Sequence, residues 1–246
     1  MQRVAKLKRR ASFLQGCERF EALVMSRAAG RPLVTVSNHA STLDDPCLFS
    51  AIMPWRFFFT ESSHQRVRWT LCANDICHQN KLLSDFFLAG KTLPIVRGGG
   101  TDQPILRLMQ ERLRSHGDWL HVFPEGRVRQ DGHMNKMKAG LAHVLCGVAD
   151  ASPIVLPFHH RGMEDVFRIK TTVPRVGQSV HIIVGEPVDL ADLLARCRKV
   201  RLWRLDAAVS RHVAACACVL RNQDARAALK TRSCVDVASL RVCRRA

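Results

Sequence analysis

A histidine works as a general base when a carboxylate holds one ring nitrogen and leaves the other open. The 246-residue chain offers such a pair within Ser37-Asn38-His39-Ala40-Ser41-Thr42-Leu43-Asp44-Asp45-Pro46, directly after a short β-branched run. His39 and Asp44 are five positions apart, which on one straight helix would set their side chains about 140° from each other. They can meet only if the chain bends between them. Pro46 suits the first helical position, which makes Asp45 the expected N-cap and leaves Asp44 on the loop, able to turn back toward His39. The same spacing also describes an ordinary surface histidine beside a helix start, so the pair alone decides nothing.

Two more strand-end segments carry chemistry. In Val122-Phe123-Pro124-Glu125-Gly126-Arg127, Glu125 could accept a hydrogen bond from a hydroxyl, and Gly126 would let backbone approach a bound group. Open α/β sheets place their ligands at this edge. In Leu93-Pro94-Ile95-Val96-Arg97-Gly98-Gly99-Gly100, the Arg97 fork and nearby backbone N–H groups could hold a phosphate, although the Gly-Lys-Ser/Thr ending of a P-loop is missing. Taken singly these segments read equally well as a turn and a linker. Together they offer a base, a carboxylate and a phosphate-binding cation.

The remaining histidines have no comparable setting; His121 and His181 fall in strand-like runs and read as core residues. No Gly-x-Ser-x-Gly elbow is present, which disfavours a serine hydrolase. Ten cysteines show no Cys-x-x-Cys and no ordered histidine partners, so no metal site follows, and free thiols are the expected state.

The elements that must position these residues alternate. Residues 12–28 repeat apolar side chains at helical spacing. Strands are expected at Leu33–Ser37, Phe57–Thr60, Leu93–Val96, Leu120–Phe123, Ile154–Leu156 and Val180–Val184, most of them apolar on both faces as in a sheet covered on both sides. Helical stretches are expected near 46–53, 66–73, 82–88, 104–115 and 137–149. Strands separated by helices predict an α/β domain over residues 30–190. Residues 1–29 form a basic N-terminal segment with an amphipathic helix, and 191–246 a basic helical tail, with helices near 189–198 and 204–229.

Thirty-eight basic against 21 acidic residues give a formal charge of +17. Residues 1–32 carry +6, residues 33–195 only +1 and residues 196–246 +10. A nearly neutral body between cationic ends points to an anionic surface, phospholipid or nucleic acid. No run of about 18 apolar residues exists to span a bilayer. The basic start does not lead into an apolar stretch, which argues against a secretory signal; five bases without an acid in the first 17 residues fit a mitochondrial-type targeting segment.

The motifs resemble those of the glycerolipid acyltransferase superfamily. Asn38-His39 through Asp44 matches its Asn-His-x4-Asp motif, Phe123 to Gly126 its Phe-Pro-Glu-Gly motif, Arg97 its arginine motif and Ile154-Val155-Leu156-Pro157 its late proline motif. Intervening segments resemble the phospholipid–lysophospholipid transacylases of that superfamily: Arg68-Trp69-Thr70, Asn74-Asp75-Ile76-Cys77, Phe86 to Lys91, Gly117 to Gly126 and Gly162 to Val166. The likeness covers about residues 30–190 and does not extend into the tail.

The resemblance implies a mixed sheet flanked by helices, of the glycerol-3-phosphate acyltransferase type. It also implies coenzyme-A-independent acyl transfer between phospholipids and lysophospholipids, with cardiolipin and phosphatidylcholine as partners and neither cofactor nor nucleic acid. His39 oriented by Asp44 would be catalytic; Arg97, Glu125 and Gly126 would bind substrate. Attachment would be monotopic, on the intermembrane-space side of a mitochondrial membrane. The apolar run Leu48–Phe59 is the candidate contact, through Trp55, Phe57, Phe58 and Phe59, although such a run equally suits a buried helix–strand unit. A coenzyme-A-dependent lysophospholipid acyltransferase shares the catalytic motifs, and a non-catalytic basic binding protein shares the charge.

Overall fold

The computed structural model describes residues 13–59, 66–131, 137–197 and 208–223. Residues 1–12 of the 17-residue targeting-type segment, Thr60 and the tail beyond 223 lie outside the described residues. The chain opens with β1 (Phe13–Gln15), α1 (Cys17–Ser26), β2 (Leu33–Val36), α2 (Asp44–Ile52) and a 3-10 turn (Trp55–Phe59). Then come β3 (Trp69–Ala73), α3 (Asn74–Cys77), α4 (Lys81–Ala89), β4 (Thr92–Ile95), α5 (Pro104–His116) and β5 (Trp119–Val122). It continues through α6 (Gly140–Gly147), β6 (Ile154–Arg161), α7 (Met163–Val166), β7 (His181–Val184) and α8 (Ala191–Cys197) to the helical residues 208–223, here α9.

The strands form one sheet in the order β1-β7-β6-β2-β5-β3-β4. All neighbours run parallel except β6 and β7, so the sheet is mixed and helices flank it, as the resemblance implies. Alternation along the strands then builds two cores. Leu33, Trp119, Ile154, Leu156 and Phe158 face α1 and α2, where Phe20 and Phe49 pack edge-on against Trp119 at 5.5 and 5.1 Å between ring centroids. Val34, Val36, Leu120 and Val155 face the other way, onto α5, α6 and α8. Phe20 of α1 and Val209 and Val213 of α9 are fully buried, so the packed body reaches beyond residues 30–190 at both ends.

Three expected elements differ. The helix expected at 12–28 begins only at Cys17, because Gly16 takes a φ of 73° and the residues before it pair with β7 through Leu14 and Ile182. The stretch 66–73 is the strand β3, flanked by β5 and β4; pairing on both sides overrides its local pattern. Phe57–Thr60 is no strand: Trp55–Phe59 wind into the 3-10 turn, with Phe57 packed into the core at 1% exposure. Phe57 therefore anchors this turn and does not present itself to a surface. Trp55 and Phe59 stand outward, at 73% and 81% exposure, and Phe58 lies between these extremes.

The thiols also differ from expectation. Cys72 is joined to Cys77 and Cys146 to Cys197, while Cys17, Cys47, Cys216 and Cys218 are free. Pairing depends on the placement of Cα atoms, here 6.1 and 5.3 Å apart, which spacing along the chain does not reveal. No helix among the described residues is long and apolar enough to cross a membrane.

The chain segments entering β2 and β5 pass close together. Gly117 ends α5 at a φ of 63°, and a Cβ there would lie 2.5 Å from the Gly30 backbone carbon. Gly117→Ala should destabilise the protein by about 2–4 kcal/mol, measured as a lower urea midpoint with unchanged slope.

Candidate active site

β2 and β5 are neighbours in register, Val36 opposite Val122, so the segments leaving their C-terminal ends emerge side by side. One carries His39, the other Phe123, Glu125 and Gly126. His39 and Asp44 meet: Nδ1 of the imidazole lies 2.9 Å from Asp44 Oδ2. The same oxygen accepts the backbone N–H groups of Ala40 at 2.7 Å and Ser41 at 2.9 Å. Asp44 is fully buried and is the first residue of α2, where the helix dipole favours a negative charge.

The route to this pairing differs from the expected one. Leu43 occupies the cap position, Asp44 and Asp45 are already helical, and Pro46 is third. The bend instead lies in residues 40–43, closed by Asp44 N–H donating to the Ser41 carbonyl at 3.1 Å. Asp45 caps nothing; its carboxylate binds the Arg68 guanidinium, with Nε 2.9 Å from Oδ1.

With a carboxylate on Nδ1, the proton resides there and Nε2 keeps its lone pair. Among the described residues no hydrogen-bond partner occupies Nε2. The ring is pinned from one side by Phe123, stacked at 4.0 Å between centroids and 17° between planes. Its backbone is held as well: Glu125 Oε1 accepts the His39 N–H at 3.2 Å, and Arg129 N–H donates to the His39 carbonyl at 2.7 Å. Glu125 is buried, and Gly126 takes a φ of 67°, a turn that a side chain would strain. Glu125 thus braces the histidine loop from within.

Several contributors carry no sequence signal of their own. Asn38 exchanges two hydrogen bonds with the backbone of His160, each 3.0 Å, while the His160 Nε2 approaches the Asn38 carbonyl at 2.8 Å. Gln130 donates to the carbonyls of Ala40 and Phe167 and accepts from Ile169 N–H, all at 2.9 Å, stitching the bend to the segment after α7. Beneath the site His121 is fully buried. Trp119 Nε1 donates to Thr35 Oγ1 at 2.9 Å, and the same hydroxyl lies 2.9 Å from His121 Nδ1. The other ring nitrogen of His121 faces Ser37, whose hydroxyl donates to the Asn38 carbonyl. Cys47 sits beside Asp44; burial first, and that carboxylate second, hold its thiol above the usual range.

Arg97 lies on the same edge but does not touch His39. It follows β4, three strands from β2, about 14 Å away at 4.8 Å per strand. Its guanidinium is half exposed and 3.6 Å from Asp75. The glycine run beside it is a tied turn: Gln103 accepts Val96 N–H at 2.9 Å and donates to the carbonyls of Val96 and Gly100. Val96 and Gly99 N–H are thus used internally.

The model of the Acyltransferase family matches residues 14–161. Tafazzin of Drosophila melanogaster is 38% identical over 183 residues, 74% of this chain and 47% of that protein. N-acylphosphatidylethanolamine synthase of Arabidopsis thaliana is 40% identical over 174 residues, 68% of this chain and 59% of that protein. Tafazzin of Saccharomyces cerevisiae is 31% identical over 230 residues, 76% of this chain and 59% of that protein. The chain spans about half the length of these relatives.

Two buried imidazoles tie this region to pH. His121 is held well below the usual value, first by burial and then by Arg68, His39 and His160. His159 is lowered to about 3, by burial first and then by His160, Arg221 and Arg161. Both stay neutral in the fold while the unfolded chain takes protons near pH 6.5. Their contribution is complete above that pH and drains as pH falls toward 3, by about 1.4 kcal/mol per unit for each. Urea unfolding of His159→Gln between pH 6 and 4 should show a pH slope shallower by about that amount than the native chain.

Proposed function

Because the chain belongs to the Acyltransferase family, we propose that it is a transacylase of the tafazzin type, moving a fatty acyl chain from a phospholipid to a lysophospholipid without coenzyme A. The observation that carries this reading is the His39–Asp44 pair, 2.9 Å apart with Nε2 open. His39 Nε2 takes the proton of the lysophospholipid hydroxyl as that oxygen attacks the donor's ester carbonyl. The tetrahedral adduct then collapses, the C–O bond to the donor glycerol breaks, and His39 returns the proton to the departing oxygen. Atoms and charge balance without a metal or redox partner. Asp44 stabilises the imidazolium that forms between these steps. Glu125 and Gly126 shape the wall facing the glycerol, and Arg97 takes a headgroup phosphate. Monolysocardiolipin as acceptor and phosphatidylcholine as donor are the pairing proposed.

The lipid substrates require a membrane surface, and the apolar side chains beside the catalytic edge support one. Ile76 of α3 and Val96 after β4 lie at the C-terminal ends of their strands and are exposed. α4 has no buried residue and turns out Leu82 and Phe86, one helical turn apart, at 82% and 70% exposure. Trp55 and Phe59, past the far end of α2 from that edge, expose two more rings. The cationic ends, residues 1–29 and 191–246 about the acyltransferase body, would add roughly 1 kcal/mol per cation near an anionic leaflet. We place the protein on a mitochondrial membrane, at its intermembrane-space face, as a monotopic enzyme.

The relative named N-acylphosphatidylethanolamine synthase favours a second reading, in which the same base activates an amine and the product is an amide. Purified protein in liposomes of labelled phosphatidylcholine, phosphatidylethanolamine and monolysocardiolipin, without coenzyme A, separates them. Label in cardiolipin supports the transacylase; label in N-acylphosphatidylethanolamine supports the amide; transfer only on addition of acyl-coenzyme A overturns both. His39→Ala should lower the rate about 10²–10⁴-fold, and Arg97→Gln should raise KM more than it lowers kcat. Trp55→Ser with Phe59→Ser should weaken vesicle binding at least about tenfold by flotation, leaving turnover of short-chain soluble lipids unchanged.

A further inference from the structure

The chain between β6 and β7 also lies on the catalytic edge. β6 runs parallel to β2 and antiparallel to β7, so the chain leaves β6 and enters β7 at the edge where His39 emerges. After α7, residues 167–178 form a loop. It is tied within itself: Arg175 N–H donates to the Val166 carbonyl at 2.7 Å, and Thr171 donates to the Arg168 carbonyl through its N–H at 3.2 Å and its hydroxyl at 2.8 Å. It is also tied to the bend that carries the base. The Ser41 hydroxyl donates to the Phe167 carbonyl at 3.3 Å, and Gln130 joins Phe167 and Ile169 to Ala40.

A backbone held in this way decides which side chains face outward. Ile169, Val173 and Val176 are 54%, 70% and 94% exposed. Arg168, Lys170 and Arg175 are interspersed with them and are exposed too, and residues 166–185 contain no carboxylate. Arg168 reaches back to Asp165 at 2.8 Å. Single exposed apolar residues are ordinary on a protein surface. Three on one short tied loop, interspersed with cations, suit a bilayer interface, where aliphatic groups leave water and long cationic side chains stay with the phosphates. Farther along the same edge, Ile76 and Val96 follow β3 and β4 at 48% and 58% exposure. β7 and β4 stand five strand spacings apart, about 24 Å, and His39 follows β2 between them.

We infer that the loop 167–178 is a docking element for an anionic phospholipid bilayer. Ile169, Val173 and Val176 enter the boundary between headgroups and acyl chains, and Lys170 and Arg175 meet headgroup phosphates. The inference rests on the reading of the catalytic edge as lipid-facing, and it names the loop that orients that edge. The aliphatic side chains favour a bilayer over nucleic acid, whose single strands are held by stacking on aromatic faces. Because Gln130 links Phe167 and Ile169 to Ala40, a docked loop sets the position of His39 relative to the membrane surface.

Flotation measures docking without turnover, using vesicles of phosphatidylcholine alone and of phosphatidylcholine with an equal part of phosphatidylglycerol at constant ionic strength. The native chain should bind the anionic vesicles more tightly. Val173→Ser with Val176→Ser should weaken binding to both compositions about tenfold or more. Lys170→Gln with Arg175→Gln should weaken binding to the anionic vesicles about tenfold or more and change binding to phosphatidylcholine little. All four side chains are exposed, so both pairs should keep the native circular dichroism spectrum. If one pair does not fold, the other carries the test. Unchanged binding in either folded pair overturns the proposal, as does failure of the native chain to bind anionic vesicles. Binding lost in the cation pair but kept in the valine pair marks a site for polyanions such as nucleic acid and overturns it too. Acyl transfer by the native chain reports separately: a chain that docks through this loop yet moves no acyl group overturns the transacylase reading alone, and one that transfers with its docking indifferent to the loop overturns the docking element alone.

Discussion

A carboxylate removed from solvent persists only where its charge is met locally, and Asp44 meets that demand through one oxygen. Oδ2 gathers two backbone N–H groups and the His39 imidazole, while the start of α2 adds its dipole. Satisfying Asp44 therefore dictates the bend of residues 40–43, the origin of α2 and the tautomer of His39 in one step. The rest of the edge is arranged around that bend. Gln130 ties it to the chain after α7, Asn38 ties it to β6, and Glu125 ties it to the segment leaving β5. Three separate parts of the chain converge on a loop in which the His39 ring and the N–H groups of Ala40 and Ser41 meet at one oxygen.

The parts legible in the sequence were those whose signal is local. β-branched and apolar runs located β2, β4, β5, β6 and β7, and the motif match, rather than spacing alone, singled out His39 and Asp44, which the fold brings to 2.9 Å. What was not legible depended on neighbours distant along the chain. β3 shows nothing strand-like until β5 and β4 flank it. The turn at Trp55–Phe59 contains three consecutive phenylalanines, of which packing draws Phe57 inward and leaves Phe59 outside. Gln130 and His160 matter only because β2, β6 and the chain after α7 come together. The cysteine pairs are of the same kind: Cys146 and Cys197 are 51 residues apart and become neighbours only when α8 docks on α6.

The parallel strands give the sheet two unlike rims. At their C-terminal ends lie His39, Asp44, Arg97 and the exposed side chains of Ile76 and Val96. At their N-terminal ends lie helix C-termini. Between the rims runs a polar thread inside an otherwise aromatic core, from Trp119 through Thr35 and His121 to Ser37 and Asn38. Burial holds His121, in the middle of this thread, well below its usual value.

The stacking of His39 on Phe123, at 4.0 Å and nearly coplanar, has a bearing on symmetry in time. A ring clamped on one face and tethered at Nδ1 does not flip during a turnover. The nitrogen that receives a proton is then the one that must surrender it. Incoming and departing oxygens consequently visit the same point in space, one after the other, and neither direction of exchange has a privileged geometry. A catalyst of this construction drives nothing by itself. In the proposed acyl exchange, such a site would favour neither the forward nor the reverse transfer.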